Sequence, residues 1–261
     1  MQRDKFSVAA SFSNAAPSYD SVAQLQRCVG NELMGFLDAA HPCKRLVDLG
    51  SGTGFFTEKL LARYPEAQVL GLDIAPGMLR YARAQRAPGL GWVGGDMEAL
   101  PFGSGSIDVF FSSLAVQWCE NLPAFFTEVA RALVPGGRVL LATLGPQTLC
   151  ELRDSWRKVD HYTHVNEFDS AATLTHAYTR AGLVQRAWRA EPRVMYYPSL
   201  RELTHELKAL GAHNVNRERA PGLTGRQKIK KLREAYEHYR TPKGLPASYD
   251  VYWLVLEKPA G

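Results

Sequence analysis

Val-Asp-Leu-Gly-Ser-Gly-Thr-Gly, residues 47–54, places three glycines two residues apart directly after an apolar run. The run at 45–49 predicts a short buried strand, and residues 55–64 predict a helix that ends at Pro65. Glycines at such a turn let the chain reverse sharply and let a ligand lie against free amides at the helix N-terminus. The segment therefore predicts a ligand-binding turn of an α/β sheet, although a tight turn without a ligand has the same local pattern.

The spacing of these glycines distinguishes the turn from two other nucleotide-binding motifs. A dinucleotide-binding turn has the pattern G-x-G-x-x-G, whereas position 55 is Phe in this chain. A P-loop needs Lys and then Ser or Thr after its last glycine, and no lysine follows Gly54 directly. Asp48, just before the glycines, adds a carboxylate where a cationic amine could sit.

A regular alternation of strand and helix patterns follows the turn. Strand-like runs occur at 68–73, 91–93, 107–111 and 138–143, with helical patterns among them at 77–86 and 122–133. Strands separated by helices of roughly 10–15 residues form right-handed βαβ units, so we expect a parallel sheet.

The second half of the chain departs from this alternation. Helical patterns at 147–181 and 199–240, the latter interrupted by a loop at 211–225, flank a strand-like stretch at 184–197. The chain closes on a β-prone run at 250–256. Two late strands joined by a long excursion fit a sheet whose last pair is antiparallel.

These patterns together predict an α/β fold, with a doubly wound, mostly parallel seven-stranded sheet in a single domain over 1–261. Residues 1–41 would form a helical N-terminal cap, and 45–145 would form the cofactor-binding core. Helical insertions at 146–181 and 199–245 would form the side that meets substrate and partner.

Two acidic residues lie where further ligand contacts are expected. Asp73 ends the second strand, a position that faces a nucleoside ribose in this topology, so its oxygens can accept both hydroxyl protons. Asp96 and Met97 follow the third strand and can offer an acceptor and an apolar edge to an adenine. Ordinary turn chemistry is the alternative for Asp73 and, more strongly, for Asp96.

Together these motifs resemble the class I S-adenosylmethionine-dependent methyltransferases over residues 45–145. The resemblance implies S-adenosylmethionine as cofactor, with S-adenosylhomocysteine as product. It places the glycine turn against the methionine part and Asp73 against the ribose. The segment 112–114, at the end of the fourth strand, would line the sulfonium. The implied cofactor-binding residues are Asp48, Gly50, Ser51, Gly52, Gly54, Asp73, Ile74, Met78, Asp96, Met97, Ser112 and Leu114.

A narrower resemblance covers most of the chain. Short tags in order resemble the family of malonyl-acyl-carrier-protein O-methyltransferases of biotin synthesis; they lie at 12–20, 114–118, 143–153, 164–168 and 211–226. The resemblance implies methylation of the free carboxylate of a malonyl thioester, with acyl carrier protein as partner. Another small-molecule methyltransferase, acting on a quinone precursor or a free dicarboxylic acid, is an alternative, as is a protein that binds the cofactor without catalysis.

The expected chemistry needs orientation more than acid–base catalysis. A carboxyl group with a reference pKa of about 4 is ionised at neutral pH, so no general base is required. Arginine is the best match for a carboxylate because its fork donates two parallel hydrogen bonds, which favours Arg153 as the clamp. The other candidates for orienting the malonyl group are Tyr19, Gln117, Trp118, His164, and His213 with Asn214.

The positive charge of the chain is localised. Residues 201–243 hold eleven basic and five acidic residues, or +6, whereas the whole chain carries +5. Within this stretch, residues 227–240 predict a basic helix with Ile229, Leu232 and Tyr236 facing the protein, and we expect it to dock the acidic carrier protein. A solvated helix without a partner is the alternative.

Several function classes are not expected. The cysteines at 28, 43, 119 and 150 form no CxxC pair, and no pattern predicts a metal site. No apolar run approaches the roughly 18 residues of a membrane helix, and the start does not predict a secretory signal. The sequence therefore favours a cytoplasmic protein that binds neither nucleic acid nor membrane.

Overall fold

A computed structural model describes residues 4–38, 41–212 and 225–260. Its centre is a seven-stranded sheet with the order β3-β2-β1-β4-β5-β7-β6. The strands are β1 Arg45–Leu49, β2 Gln68–Asp73, β3 Gly91–Gly94, β4 Ile107–Ser113, β5 Leu133–Leu144, β6 Val184–Tyr197 and β7 Leu245–Glu257. The predicted class of fold, a mostly parallel α/β sheet, is confirmed.

Nine helices are described around this sheet, together with a single 3₁₀ turn at Val116–Trp118. They are α1 Lys5–Val22, α2 Gln24–Met34, α3 Phe55–Arg63, α4 Pro76–Gln85, α5 Leu122–Ala132, α6 Cys150–Arg157, α7 Ala171–Arg180, α8 Leu200–Ala209 and α9 Arg226–Glu237. No helix of the described residues is long and apolar enough to cross a membrane.

The order of the strands determines where a ligand can bind. Strands β1 to β5 run parallel, and β1 pairs with β2 on one side and β4 on the other. The chain therefore winds outward in opposite directions from β1 and β4, which leaves a crevice at their carboxyl ends. The glycine turn follows β1 directly and lies in this crevice.

The last strand reverses the direction of the sheet. β7 lies between β5 and β6 and is antiparallel to both. The predicted antiparallel pair is confirmed, but β7 begins at Leu245, five residues before the predicted start. Its inner position explains its apolar sequence, because most residues from Val251 to Leu256 are fully buried.

Hydrophobic clusters cover both faces of the sheet. Leu33 of α2, Tyr236 of α9 and Trp253 of β7 belong to the cluster on one face. Phe110 of β4 and Phe126 of α5 belong to the cluster on the other. Residues of one strand alternate between the faces because side chains alternate along a strand.

The helical prediction for 147–181 is wrong in its middle, because α6 ends at Arg157 and α7 begins only at Ala171. Polar side chains organise the segment between them. Asp160 accepts from the amide of Tyr162 at 3.2 Å, and the hydroxyl of Ser170 accepts from the amide of Thr173 at 3.1 Å. Such local bonds compete with helix and set the start of α7.

Candidate active site

The three glycines of the turn have three different reasons to be glycine. All have positive φ, at +70° for Gly50, +54° for Gly52 and +77° for Gly54. A Cβ on Gly50 would lie 2.3 Å from Cβ of Ala115, and one on Gly54 would lie 2.3 Å from Cη2 of Trp92. A Cβ on Gly52 would meet no atom within 4 Å, since this glycine faces an open cleft.

Gly54 was expected to contact the cofactor, and the structure places it outside the two clefts that Gly50 lines. It lies at the start of α3 against Trp92. Its lack of a side chain therefore serves packing, whereas Gly50 and Gly52 line the cleft where a ligand can approach.

Asp73 holds the glycine turn in place from the end of β2. Its Oδ2 accepts from the amide of Gly52 at 2.8 Å, and its Oδ1 accepts from the amide of Ala75 at 2.7 Å. Burial raises the pKa of this carboxyl above its usual value, while the backbone hydrogen bonds act against that shift. The carboxylate borders the cleft at the position expected for a ribose.

Asp48 is buried beneath the same turn. Its Oδ2 accepts from the hydroxyl of Thr57 at 2.6 Å. Burial, and to a smaller extent the nearby charge of Asp73, raise the pKa of Asp48, whereas the hydrogen bond from Thr57 lowers it. The net pKa is about 7. A cation placed beside this carboxyl would favour its ionised form.

An elongated cleft of about 730 Å³ runs across the carboxyl ends of β1, β2 and β4. The structure brings together many of the residues predicted for the cofactor. Those that line this cleft are Gly50, Gly52, Asp73, Ile74, Met78, Asp96, Met97 and Leu114, while Asp48 and Ser51 line a smaller cleft that continues from it.

Ser112 was predicted to contact the cofactor, but it is Ser113 that borders the clefts in the structure. The hydroxyl of Ser112 is buried and donates to the carbonyl of Leu49 at 3.0 Å. Ser113 borders both the main cleft and its continuation. The two serines point to opposite faces because side chains alternate along β4.

Helix α1 lies over the cleft and is attached at both ends. At its first residue, Lys5 Nζ lies 2.6 Å from Oδ2 of Asp96 and 3.0 Å from Oε1 of Glu98. Near its last turn, Asp20 accepts from the hydroxyl of Thr53 at 2.6 Å and pairs with Arg86 at 2.5 Å. The helix therefore closes the cleft from the expected adenine edge to the glycine turn.

The same helix is also bound to the second half of the chain. The hydroxyl of Ser11 donates to the carbonyl of Gly211 at 3.0 Å, and that of Ser18 donates to the carbonyl of Ala209 at 3.0 Å. The start of the chain and the end of α8 thus form one wall.

A second cleft, of about 1110 Å³, adjoins the first. Phe12, Tyr19, Leu114 and Trp118 line both. The rest of its described lining is apolar or carries neutral polar groups, and it comes from α2, α6, α8 and the segments after β5 and α6. A reaction between two bound molecules would take place where the clefts meet.

Two of the predicted substrate residues lie at this junction. Tyr19 lines the two large clefts and the continuation at the glycine turn, and burial raises the pKa of its phenol. Trp118 packs edge-on against Phe12, with 5.2 Å between ring centroids. Both can contact a molecule that passes from one cleft to the other.

Gln117 lines the second cleft, but its amide is engaged with the protein. Its Nε2 donates to the carbonyl of Leu114 at 2.8 Å, and its Oε1 accepts from the hydroxyl of Thr143 at 3.4 Å. Leu114 has a φ of +53°, which is rare for a residue with a side chain. Gln117 therefore stabilises the backbone at the junction.

Arg153 does not occupy the predicted position. Its Nη2 donates to the carbonyl of Pro146 at 2.8 Å, and it borders a separate groove rather than the second cleft. His164 lies between the two, stacked on Trp156 at 3.5 Å between ring centroids, with Nε2 2.7 Å from Asp160. His213 and Asn214 lie outside the described residues.

Sequence reasoning missed residues that the structure places at the clefts. Among the described residues, buried side-chain atoms without a hydrogen-bond partner concentrate there, and such atoms often mark ligand sites. The missed residues among them are Gln26 with Oε1, Arg27 with Nε, Ser113 with Oγ and Asn166 with Oδ1; Oγ of Ser51, a predicted residue, is also unpartnered there, and Nε of Arg189 lies elsewhere. Asn166 lies within a tag quoted from the sequence, so that tag was the one available signal.

Comparison with known proteins agrees with this geometry. A family model described as a methyltransferase domain matches residues 47–141. Geranyl diphosphate C-methyltransferase from Streptomyces coelicolor shares the fold, with a TM-score of 0.55, 16% identity, and coverage of 90% of this chain and 80% of that one.

Closer similarity exists among sequences. The chain is 53% identical to the biotin biosynthesis bifunctional protein BioHC of Cellvibrio japonicus, and the match covers 98% of this chain. It covers only 51% of that protein, so the chain spans about half the length of this bifunctional relative. It is 44% identical to malonyl-[acyl-carrier protein] O-methyltransferase of Methylococcus capsulatus, covering 96% of this chain and 93% of that protein.

Fold and glycine turn together define a class I methyltransferase. The chain belongs to the family of malonyl-[acyl-carrier protein] O-methyltransferases, as its sequence tags predicted.

Proposed function

We propose that the chain transfers a methyl group from S-adenosylmethionine to the free carboxylate of a malonyl thioester carried by acyl carrier protein. The observation that carries the proposal is the meeting of two clefts at Tyr19 and Leu114, one bordered by the glycine turn and the other lined by apolar and neutral polar side chains. The names of the relatives supply the substrate class.

The residues of the first cleft fit S-adenosylmethionine chemically. Asp73 offers a carboxylate to the ribose hydroxyls, and Ile74 and Met78 offer apolar surface to the adenine. In the continuation of the cleft lie the carboxyl of Asp48, which a bound cation would favour in its ionised form, and the cationic side chain of Arg27. This pair matches the ammonium and carboxylate of the methionine part.

The second cleft serves to orient the acceptor. When bound, S-adenosylmethionine would supply an electrophilic methyl group to a lone pair of the carboxylate oxygen, and the electrons of the broken carbon–sulfur bond would remain on sulfur. The acceptor is ionised at neutral pH, so no side chain has to remove a proton from it. The residues around the junction then act by alignment and by excluding water from the nucleophile.

Helix α9 offers a surface for the carrier protein, in a form that differs from the sequence prediction. Leu232 and Tyr236 are buried as expected, but Ile229 is 39% exposed. Lys228 pairs with Asp160 at 2.8 Å, so its charge is used within the protein. Lys231 and Arg233 are exposed and can attract an acidic partner.

A direct assay tests the proposed reaction. Purified protein is incubated with methyl-labelled S-adenosylmethionine and malonyl-acyl carrier protein, and mass spectrometry follows the carrier. We expect a gain of one methyl group on the malonyl carboxylate, with no reaction on acetyl-carrier, which lacks that carboxylate. Faster methylation of a free dicarboxylic acid or of a phenol would instead support another small-molecule methyltransferase.

A further inference from the structure

The second cleft has an unusual lining for a site that receives a carboxylate. Its described residues include no Lys, Arg, Asp or Glu. Polar groups come from neutral side chains such as Tyr19, Thr148 and Thr204, and from His164. A carboxylate that enters this cleft meets dipoles among these residues rather than a formal positive charge.

Two amides in this lining have buried atoms without partners. Asn166 follows α6 and is 7% exposed, and its Oδ1 has no hydrogen-bond partner. Gln26 lies on α2 and its Oε1 is also buried without a partner. An unsatisfied buried polar group destabilises the folded chain, so its retention at a cleft points to a ligand that satisfies it.

The positions of the two amides differ in an informative way. Gln26 lines both the second cleft and the continuation at the glycine turn, and therefore lies beside the junction. Asn166 lines only the second cleft, in the segment that also holds Val165 and Phe168. A primary amide can rotate about its terminal bond, so either its oxygen or its NH₂ group can face a ligand.

We propose that Gln26 and Asn166 hold the malonyl group through their NH₂ donors, and that the sulfonium of the cofactor, rather than a side chain among the described residues, is the counter-charge of the carboxylate. This inference rests on the proposed function. Gln26, which lines the second cleft and the continuation at the glycine turn, binds the carboxylate oxygen that does not react, and Asn166 binds the acyl group beyond it.

Physical chemistry favours this arrangement for methyl transfer. A forked guanidinium would bind both carboxylate oxygens and hold them away from the methyl group. Single hydrogen bonds from neutral amides orient the group and leave one oxygen free to react. Arg153, the best sequence candidate for a clamp, donates to the carbonyl of Pro146 and does not line the cleft.

Charge-changing variants test the amide donors. Gln26→Glu and Asn166→Asp keep the shape of each side chain but replace the donor with a carboxylate, which repels the substrate. We expect KM for malonyl-carrier protein to rise at least about tenfold in each, and by more than in Gln26→Ala and Asn166→Ala, because a like charge is worse than a missing donor.

Matched controls lie outside the clefts. Gln24→Glu is on the same helix as Gln26 and exposed, and Asn31→Asp is an exposed asparagine of that helix. Both should keep wild-type KM. The amide roles are overturned if the acidic variants retain wild-type KM, or if each acidic variant is no worse than its alanine counterpart while thermal melting is equal.

Binding measurements test the counter-charge. Calorimetry compares malonyl-carrier protein binding to the protein saturated with sinefungin, whose ammonium replaces the sulfonium, and with the neutral S-adenosylhomocysteine. We expect at least about fivefold tighter binding with the cationic ligand, because opposite charges in a poorly hydrated site attract strongly. Equal affinities would assign the counter-charge to the protein and overturn this part.

The two proposals fail in distinguishable ways. Wild-type protein that does not methylate malonyl-carrier protein contradicts the proposed function itself. Wild-type protein that methylates it, with unaffected acidic variants and no preference between the two ligands, contradicts only the inference about Gln26, Asn166 and the counter-charge.

Discussion

Lys5 and Asp96 are 91 residues apart in sequence, yet the ammonium of Lys5 lies 2.6 Å from the carboxylate of Asp96. Burial lowers the pKa of Lys5, and its bonds to Asp96 and Glu98 more than compensate, so the net shift is upward. The other oxygen of Asp96 accepts from the amide of Glu98 at 2.9 Å. Asp96, predicted to contact adenine, thus also attaches helix α1 to the edge of the cleft.

This attachment predicts a local effect for Lys5→Met. A partly exposed ion pair contributes about 1 kcal/mol at most, so the melting temperature should change by only a few degrees. The first turns of α1 should open more often, and their amide hydrogen exchange should rise about threefold to fivefold. Mass spectrometry of the exchanged protein measures the exchange of α1, and Lys59→Met on α3 serves as the control variant. Identical exchange of α1 in both variants would refute the attachment.

Replacement of Asp73 should weaken cofactor binding while the protein remains folded. Asp73→Ala removes the expected bonds to the ribose, each worth about 1.5–3 kcal/mol, and also frees the amide of Gly52. We expect S-adenosylmethionine to bind at least about tenfold more weakly by calorimetry, with far-ultraviolet circular dichroism unchanged. A dissociation constant within about threefold of wild type would contradict the ribose assignment, because the loss of two such hydrogen bonds should change it by a much larger factor.

The raised pKa of Asp48 predicts that the free energy of unfolding of the cofactor-free protein depends on pH. Burial raises its folded-state pKa from 3.8 to about 7, so the folded chain retains a proton that the unfolded chain releases. Its contribution to stability is therefore full at the acidic end and is lost as pH rises through this range.

Asp48→Asn removes that dependence. The melting temperature of the variant relative to wild type should rise by a few degrees between pH 4.5 and pH 8 in scanning calorimetry. The carboxyl of Asp73 is present in both proteins, but its charge raises the pKa of Asp48, so the difference reports the two coupled carboxyls rather than Asp48 alone. A difference that stays constant across this range would show that Asp48 is already ionised in the folded chain.

Helix α9 predicts a salt-dependent interaction with the carrier. Lys231→Glu with Arg233→Glu should raise KM for malonyl-carrier protein at least about fivefold at low salt, and the effect should shrink as salt screens the charges. Lys228 is left unchanged because its ion pair with Asp160 contributes to structure. Arg63→Glu with Arg83→Glu changes the net charge equally on exposed residues of α3 and α4. Equal KM in the two double variants would remove α9 from the docking surface.

The fold and the cofactor turn could be predicted because their signals are local. Apolar runs, three glycines and an aspartate at a strand end specify β1, β2 and the crevice between β1 and β4 within a short stretch of sequence. The structure alters few of these expectations.

The substrate side could not be predicted in the same way, because its contacts join distant parts of the chain. Only the folded chain shows that Arg153 is bound to Pro146, or that Lys228 pairs with Asp160 across 68 residues. Ser112 and Ser113 differ only in which face of β4 they occupy, and the sequence does not say which face borders the cleft. Gln26 carried no motif and emerged from its unpartnered oxygen.

The bonds from Ser11 and Ser18 to residues 211 and 209 also constrain the order in which the protein is made. These partners are 200 and 191 residues apart, so α1 leaves the ribosome long before its acceptors exist. At about 5–20 residues per second, that interval is on the order of 10–40 s. The strands of the central sheet that precede α8 can begin to pair during this time, whereas α1 still lacks its contacts with residues 209 and 211. The contacts that hold α1 against the end of α8 can therefore form only after residues 209 and 211 have been synthesised.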